Sequence, residues 1–310
     1  MTRPQPLPTL KEVHQHSYAL RRLSSEIALP DLPTWDGVGD SDLLIRLGTA
    51  PPLQDIIAKT QALQVGQDGH CRLHIAGTAA WLIAPDGRTI TIEPETDRDA
   101  PAIRAFLYGT FFAIAAMRWG LFPLHAACLR FGSGVVAFSG RSGAGKSTLA
   151  AMLINRGRAM LADDVTLLDM SGEGAPIALP SFPRVKLWQD ALDRMQIDAT
   201  GLERVTGNVE KFKLPVTDAF CVRPLPLHAI VMIDPEQAHD GRLTRLRPTD
   251  LLPWSKDLIY RPGAMRRMGL THWQMQHMMR LLSLPAYRIG RVAGPDQLDG
   301  LVAQLEEVCI

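Results

Sequence analysis

The stretch Gly140-Arg-Ser-Gly-Ala-Gly-Lys-Ser147 constrains this chain more than any other. It closes the apolar run Val135-Val-Ala-Phe138 and opens the helix-like Ser147-Thr-Leu-Ala-Ala-Met-Leu-Ile-Asn-Arg156. It fits the G-x-x-x-x-G-K-[ST] spacing of a phosphate-binding loop. Gly140, Gly143 and Gly145 allow backbone conformations that other residues resist, so successive N–H groups can point at phosphate oxygens. The following helix adds the positive end of its dipole. Lys146 can reach the β- and γ-phosphates, and the Ser147 hydroxyl can ligate Mg2+. The cradle would run from Gly140 through Arg141, Ser142, Gly143, Ala144 and Gly145 to Thr148, and Gly157 would stop the helix. Strand, glycine loop and helix in this order predict an α/β core rather than a turn met by chance.

At 310 residues the chain has room for one large domain or two smaller ones. Its 46% hydrophobic and 21% charged content is that of an ordinary globular protein. With 33 basic against 32 acidic residues, net +1, no nucleic-acid partner is expected. Cys71, Cys128, Cys221 and Cys309 are scattered without a C-x-x-C pair, so no zinc site is expected, and reduced thiols of a cytoplasmic protein are. The opening Met-Thr-Arg-Pro-Gln-Pro lacks the apolar core of a signal peptide. The longest apolar run, Ala105 to Met117, is flanked by Arg104 and Arg118 and is shorter than the roughly 20 residues of a bilayer span. It reads as a buried helix, and no membrane span is expected.

Residues 1–35 are rich in proline (Pro4, Pro6, Pro8, Pro30, Pro33), and Leu43–Leu47 reads as a strand. Residues 70–93 read as a β-meander with a turn at Pro85-Asp-Gly87, followed by a helix over 102–118. A boundary near residue 120 would divide a mostly β module, 1–120, from a nucleotide-binding core, 121–310; the module would recognise an acceptor or complete the fold. In the core, Leu124–Leu129 and Ala159–Ala162 read as strands, 171–183 as a loop and His228–Asp234 as a buried strand. Residues 261–282 read as helical, with methionines as core filler. Residues 296–309 read as an amphipathic helix with Leu298, Leu301, Val302, Leu305 and Val308 on one face.

Asp163-Asp164 stands seventeen residues after Lys146, a gap that fits one helix and one short strand. The pair would then lie at the carboxyl end of a strand beside the loop, where α/β sheets place ligands. One carboxylate could hold Mg2+ and the other accept a proton from an incoming hydroxyl. The other reading is a solvated turn, which an apolar strand feeding straight into the pair disfavours. His125, in Pro123-Leu-His-Ala-Ala-Cys128, would sit beside the phosphates if its strand neighboured the loop strand; alone, such a histidine is more often a hydrogen-bonded core residue. Arg184 and Lys186 alternate with Val185 and Leu187, so both cations would share one strand face; Lys211 and Lys213 repeat the pattern. Such a face is either solvated or placed to neutralise phosphate.

Leu124-His-Ala, Gly140–Ser147, Arg156-Gly157 and Leu161-Ala-Asp-Asp-Val165 together resemble the catalytic domain of HPr kinase/phosphorylase. The resemblance covers residues 120–170 well and the remaining core more loosely. It implies an α/β fold with a P-loop kinase core related to phosphoenolpyruvate carboxykinase. It implies an ATP- and Mg2+-dependent serine kinase, with a peptide or protein partner and, because the family is often multimeric, a homo-oligomer. Lys146 would cradle the transferring phosphate, Ser147 and Asp163 would take the metal side, Asp164 would be the base towards a serine hydroxyl, and His125 would be the supporting residue near the phosphate. The cations, Arg184 foremost, would stabilise charge in transfer, while Lys186, Lys211 and Lys213 would meet the substrate. The glutamate-containing motif of the authentic enzyme is replaced by Pro183-Arg-Val-Lys-Leu-Trp188, a departure that touches the second metal ligand and reverse phosphorolysis. That segment, Ser17-Tyr-Ala-Leu, Ser24–Pro33 and Glu210-Lys-Phe-Lys-Leu-Pro215 look like the smaller HPr-kinase-related proteins found beside lasso peptide biosynthesis genes. This implies phosphorylation of a precursor serine, with HPr phosphorylation as the alternative acceptor chemistry. A motor NTPase is disfavoured, since neither an LSGGQ-like nor an Asn-Lys-x-Asp motif occurs. A non-catalytic nucleotide-binding regulator would not need a base.

Overall fold

The computed structural model describes residues 13–60, 62–206, 209–292 and 294–309. Pro4, Pro6 and Pro8 lie outside them. The chain forms two compact units, Met1–Trp119 and Gly120–Ile310. It is a mixed α/β protein with several sheets.

The first unit holds eight strands: β1 (His14–Tyr18), β2 (Arg21–Ser25), β3 (Leu43–Leu47), β4 (Ile56–Lys59), β5 (Leu63–Gly66), β6 (Cys71–Ile75), β7 (Ala79–Ile83) and β8 (Thr89–Pro94). They form one sheet in the order β1-β2-β3-β8-β7-β6-β5-β4. The predicted meander is β6-β7-β8, antiparallel throughout. The predicted helix begins with Pro101, a residue suited to a first helical position, as α1 (Pro101–Phe106). It continues through a π-helical turn, Leu107–Phe111, into α2 (Phe112–Arg118). The extra residue in that turn rotates the helix face, and residues 111–117 are all buried. Trp81 of β7 is fully buried, with ring centroids 5.3 Å from Phe106 and 5.9 Å from Phe111.

The second unit is built on a nine-stranded sheet. Its strands are β9 (Leu121–Leu124), β10 (Ala126–Phe131), β11 (Gly134–Ser139), β12 (Met160–Ala162), β13 (Thr166–Asp169), β14 (Ile177–Leu179), β17 (Leu225–Ile233), β18 (Thr244–Leu246) and β19 (Ala286–Ile289). A separate antiparallel hairpin pairs β15 (Arg184–Trp188) with β16 (Lys211–Pro215). The helices are α3 (Lys146–Asn155), α4 (Gln189–Arg194), α5 (Pro248–Leu251), α6 (Ser255–Leu258), α7 (Pro262–Arg267), α8 (Thr271–Leu282) and α9 (Pro295–Val308). The main path runs β12-β10-β11-β17-β14-β13-β9, with β19 on β17 and β18 on β19. Strands β11, β17 and β19 are mutually parallel, so their carboxyl ends point the same way. The apolar faces of α3 and α9 cover Val136, Phe138 and Leu129 with Leu149, Leu153, Leu298, Leu301 and Leu305. The hairpin and α4 pack Val185, Leu187, Leu192 and Phe212 against Ala151 and Met160.

Several expectations change. The single strand predicted over Leu124–Leu129 breaks at His125: β9 pairs with β13, whereas β10 pairs with β11 and β12, so the chain changes partners there. The loop predicted over 171–183 contains β14, whose three residues are too short to register as a period. The helix over 261–282 is two, because Gly269 at φ 76° ends the first. Met265 and Met278 are core filler as expected, whereas Met275 and Met279 are exposed. Deleting the indole in Trp81→Ala is expected to remove about 3–5 kcal/mol from the first unit, read in the full chain as faster hydrogen exchange of the β6–β8 amides.

Candidate functional site

The glycine loop spans the gap between β11 and α3 at the carboxyl end of the parallel strands. Gly140 has φ 146°, and a Cβ there would lie 2.6 Å from the Ile233 carbonyl, so only glycine fits the close approach to β17. A Cβ on Gly143 or Gly145 would meet nothing within 4 Å: their requirement is conformational, at φ 79° and 109°, and the space beside them is open. The Lys146 ammonium is buried and donates to the carbonyls of Gly140 (2.8 Å) and Arg141 (3.2 Å). Burial lowers its pKa, against which the charges of Asp164 and Asp163 act.

The acidic pair arrives by a different route from the one expected. Strand β12 neighbours β10, not the loop strand, because β10 lies between them. Two antiparallel pairings leave β12 running parallel to β11, so Asp163-Asp164 still emerges at the loop's end of the sheet. The Val165 N–H donates to the Asp163 carbonyl at 2.8 Å, closing a tight turn with Asp164 at φ 68°. Aspartate is among the few residues that tolerate that region. The turn sends consecutive carboxylates to different partners. Asp163 is buried; its Oδ1 accepts from the Ser147 hydroxyl at 2.9 Å and its Oδ2 from the Lys186 backbone N–H at 3.0 Å. Asp164 receives the Lys186 ammonium at 3.0 Å and stands 3.6 Å from His125 Nε2. Burial, and then the charge of Asp164, push the Asp163 carboxyl above its ordinary range. The Lys186 ammonium holds Asp164 well below it, against the opposing effect of burial.

His125 is positioned by the chain's change of partner. Its N–H donates to the Leu258 carbonyl at 2.8 Å, and its carbonyl accepts from Ser139 Oγ at 2.7 Å. Nδ1 lies 3.1 Å from the Asp257 carbonyl, which can only accept; Nδ1 therefore carries a hydrogen and Nε2 is left facing Asp164. Tyr260 stands edge-on to the ring at 5.9 Å.

One cavity is lined by His125, residues 142–149, Asp164, Lys186 and Lys211. The predicted cations separate there. Lys186 and Lys211 line it, whereas Arg184 and Lys213 do not: Arg184 is buried with its guanidinium 4.7 Å over Phe182, and Lys213 pairs with Glu203 at 3.0 Å. Arg184, expected to stabilise charge in transfer, and Lys213, expected to meet the substrate, are instead taken by the Phe182 ring and by Glu203. Sequence reasoning missed Trp188, Asp190, Arg194 and Arg291, which also line the cavity. Trp188 stood in a quoted segment, and its place opposite Lys211 (5.5 Å from ring to Nζ) follows from strand pairing. Arg291 has no local motif; β19 brings it, and its Nη2 donates to the Gly143 carbonyl at 3.1 Å.

The donor set suits a small hard cation: the Ser147 hydroxyl and the Asp163 carboxylate are oxygens already in contact. Among the described residues no group of three or more His, Cys, Asp or Glu could hold a metal, so a cation here would complete its shell with water and phosphate oxygens. Because Asp163's pKa is raised by folding, its contribution to stability is full below the ordinary carboxylate pKa and is lost as pH rises through the folded value. Asp163→Asn, able to bond both Ser147 and the Lys186 N–H, is expected to raise the melting temperature of the metal-free protein at pH 7 by about 2–4 °C. The gain should vanish in thermal scans as the pH is taken below the unfolded carboxylate's.

No family model matches the chain, and no curated protein does. Among solved structures it is similar to the HPr(Ser) kinase/phosphatase from Coxiella burnetii at 14% identity and a TM-score of 0.32, over 60% of this chain and 87% of that one. Neither fold nor activity follows from a similarity at that level. No helix among the described residues is long and apolar enough to cross a membrane.

Proposed function

We propose that the chain is an ATP-dependent serine kinase with a core of the HPr-kinase type, acting on a peptide or protein acceptor. The acceptor we infer is the serine of a ribosomal precursor of the lasso class, on the segments Ser17–Leu20, Pro183–Trp188 and Glu210–Pro215. One observation carries the kinase reading: Lys146 and Ser147 of the glycine loop and the carboxylate of Asp164 meet at one cavity, with Asp163 joining Ser147 behind them.

Each residue then has a task. Loop N–H groups and Lys146 bind the donor's phosphates, Lys146 exchanging its carbonyl partners for phosphate oxygens. Ser147 and Asp163 would hold Mg2+, which when bound neutralises phosphate charge. Asp164 accepts a hydrogen bond from the acceptor hydroxyl and takes its proton as the new O–P bond forms and the bond from the γ-phosphorus to the β,γ-bridging oxygen breaks, releasing ADP. The low basicity of Asp164 suits a loose transition state, in which the nucleophile's proton is lost late. Lys186 pairs with the Asp164 carboxylate, beside which His125 Nε2 stands at 3.6 Å, and Lys186 and Lys211 stabilise charge on the passing phosphoryl group.

Incubation with ATP, Mg2+ and a serine-ended precursor peptide should add one phosphate to the peptide by mass spectrometry. Phosphate on HPr alone would move the acceptor; steady ATP hydrolysis with no acceptor gaining mass would sink the kinase reading. Asp164→Asn should keep nucleotide affinity within about threefold and cut transfer by about 10²–10⁴, the usual scale of a lost general base. Full activity in that variant would remove the base assignment.

A further inference from the structure

Strand β15 alternates from Val185 onward. Val185 and Leu187 are buried in the core under the hairpin with Leu192 and Phe212, whereas Lys186 and Trp188 line the cavity. Trp188 is 48% exposed. Among the described residues it is the one exposed Phe, Tyr or Trp side chain. Lys211, its partner across the hairpin, holds its ammonium 5.5 Å from the ring. The indole therefore arrives with the hairpin, the same piece of chain that brings Lys186 to the Asp164 carboxylate at 3.0 Å.

We propose that Trp188 selects the acceptor, taking a large apolar side chain two residues before the serine that is phosphorylated. The inference rests on the reading of Asp164 as the base towards that serine. Spacing carries it. Residues two apart on a strand share a face and lie roughly 6.6 Å from one another. Lys186, held on Asp164, and Trp188 are such a pair. A peptide extended along the hairpin has the same period. With its serine hydroxyl at Asp164, the side chain two residues earlier falls on the side of the indole. A serine-ended peptide offers side chains in that direction only. The chemistry agrees with the spacing. Asp190 and Arg194, which also line the cavity, pair with each other at 2.8 Å, so their charges are already answered. The indole is a rigid apolar plate with nearly half its surface in water, and an aliphatic or aromatic side chain laid on it removes that surface from water. Trp188 is thus a specificity-determining residue, and Asp164 keeps the chemistry.

The test uses the full chain, ATP, Mg2+ and two serine-ended precursor peptides, identical but for leucine or alanine two residues before the serine. The wild-type chain should prefer the leucine peptide about tenfold in kcat/KM, the difference lying in KM. Trp188→Ala should shrink that preference to within about twofold, and Trp188→Phe, which keeps an aromatic plate, should retain most of it. The ratio between peptides does not depend on the fraction of folded chain. No preference in the wild-type chain, or an equal preference in Trp188→Ala, would overturn the inference and leave the kinase reading standing. A raised KM for ATP in Trp188→Ala with the peptide preference intact would overturn it too, giving the indole to the nucleotide. Transfer to neither peptide by the wild-type chain would overturn the reading of Asp164 as base towards such a serine, and the inference with it.

Discussion

A buried carboxylate holds this site together. Asp163 accepts one hydrogen bond from the first turn of α3 and another from the backbone of β15, and so ties three pieces of chain remote in sequence: the glycine loop's helix, the end of β12 and the hairpin. A charge in that position is costly, and burial and its acidic neighbour both oppose its ionisation. Lys186 compensates twice, through its backbone N–H to Asp163 and its ammonium to Asp164. The left-handed turn at Asp164 makes this division possible, since it lets adjacent carboxylates point to different partners. Remove the buried one and the hairpin loses its polar attachment to the sheet end.

Much of this was legible along the chain, for reasons that differ by residue. The glycine loop is a local device: its conformation, donors and cation come from eight consecutive residues, so their order alone describes it. The meander and α9 were readable because a half-buried strand or helix writes its period into the sequence. Strand β12 and its acidic pair were readable as a strand ending in charge, but not their neighbour, because pairing order is decided by chain segments far away. The path assumed from spacing put β12 beside β11; β10, which lies between them, carries no mark of that role.

The cations show the same limit more sharply. Alternation puts Arg184 with Lys186, and Lys211 with Lys213, on common strand faces. It says nothing of which neighbours pack on that face. Lys186 and Lys211 line the cavity, while Glu203 and the Phe182 ring occupy Lys213 and Arg184, although Lys213 is the cross-strand partner of Lys186. Arg291 stayed out of sight altogether, because its role depends on β19 lying parallel to β17, a long-range pairing. Likewise the partners of His125 are backbone carbonyls of Asp257 and Leu258, which no side-chain pattern announces.

The lysine inside the glycine loop has one more implication. By donating to Gly140 and Arg141 it solvates its own charge with the carbonyls of the turn that carries it, while Arg291 grips the same turn at Gly143. The ring so formed is self-supporting. An incoming polyanion would trade one set of oxygen acceptors for another rather than organise a slack segment, so little ordering entropy would be charged against association.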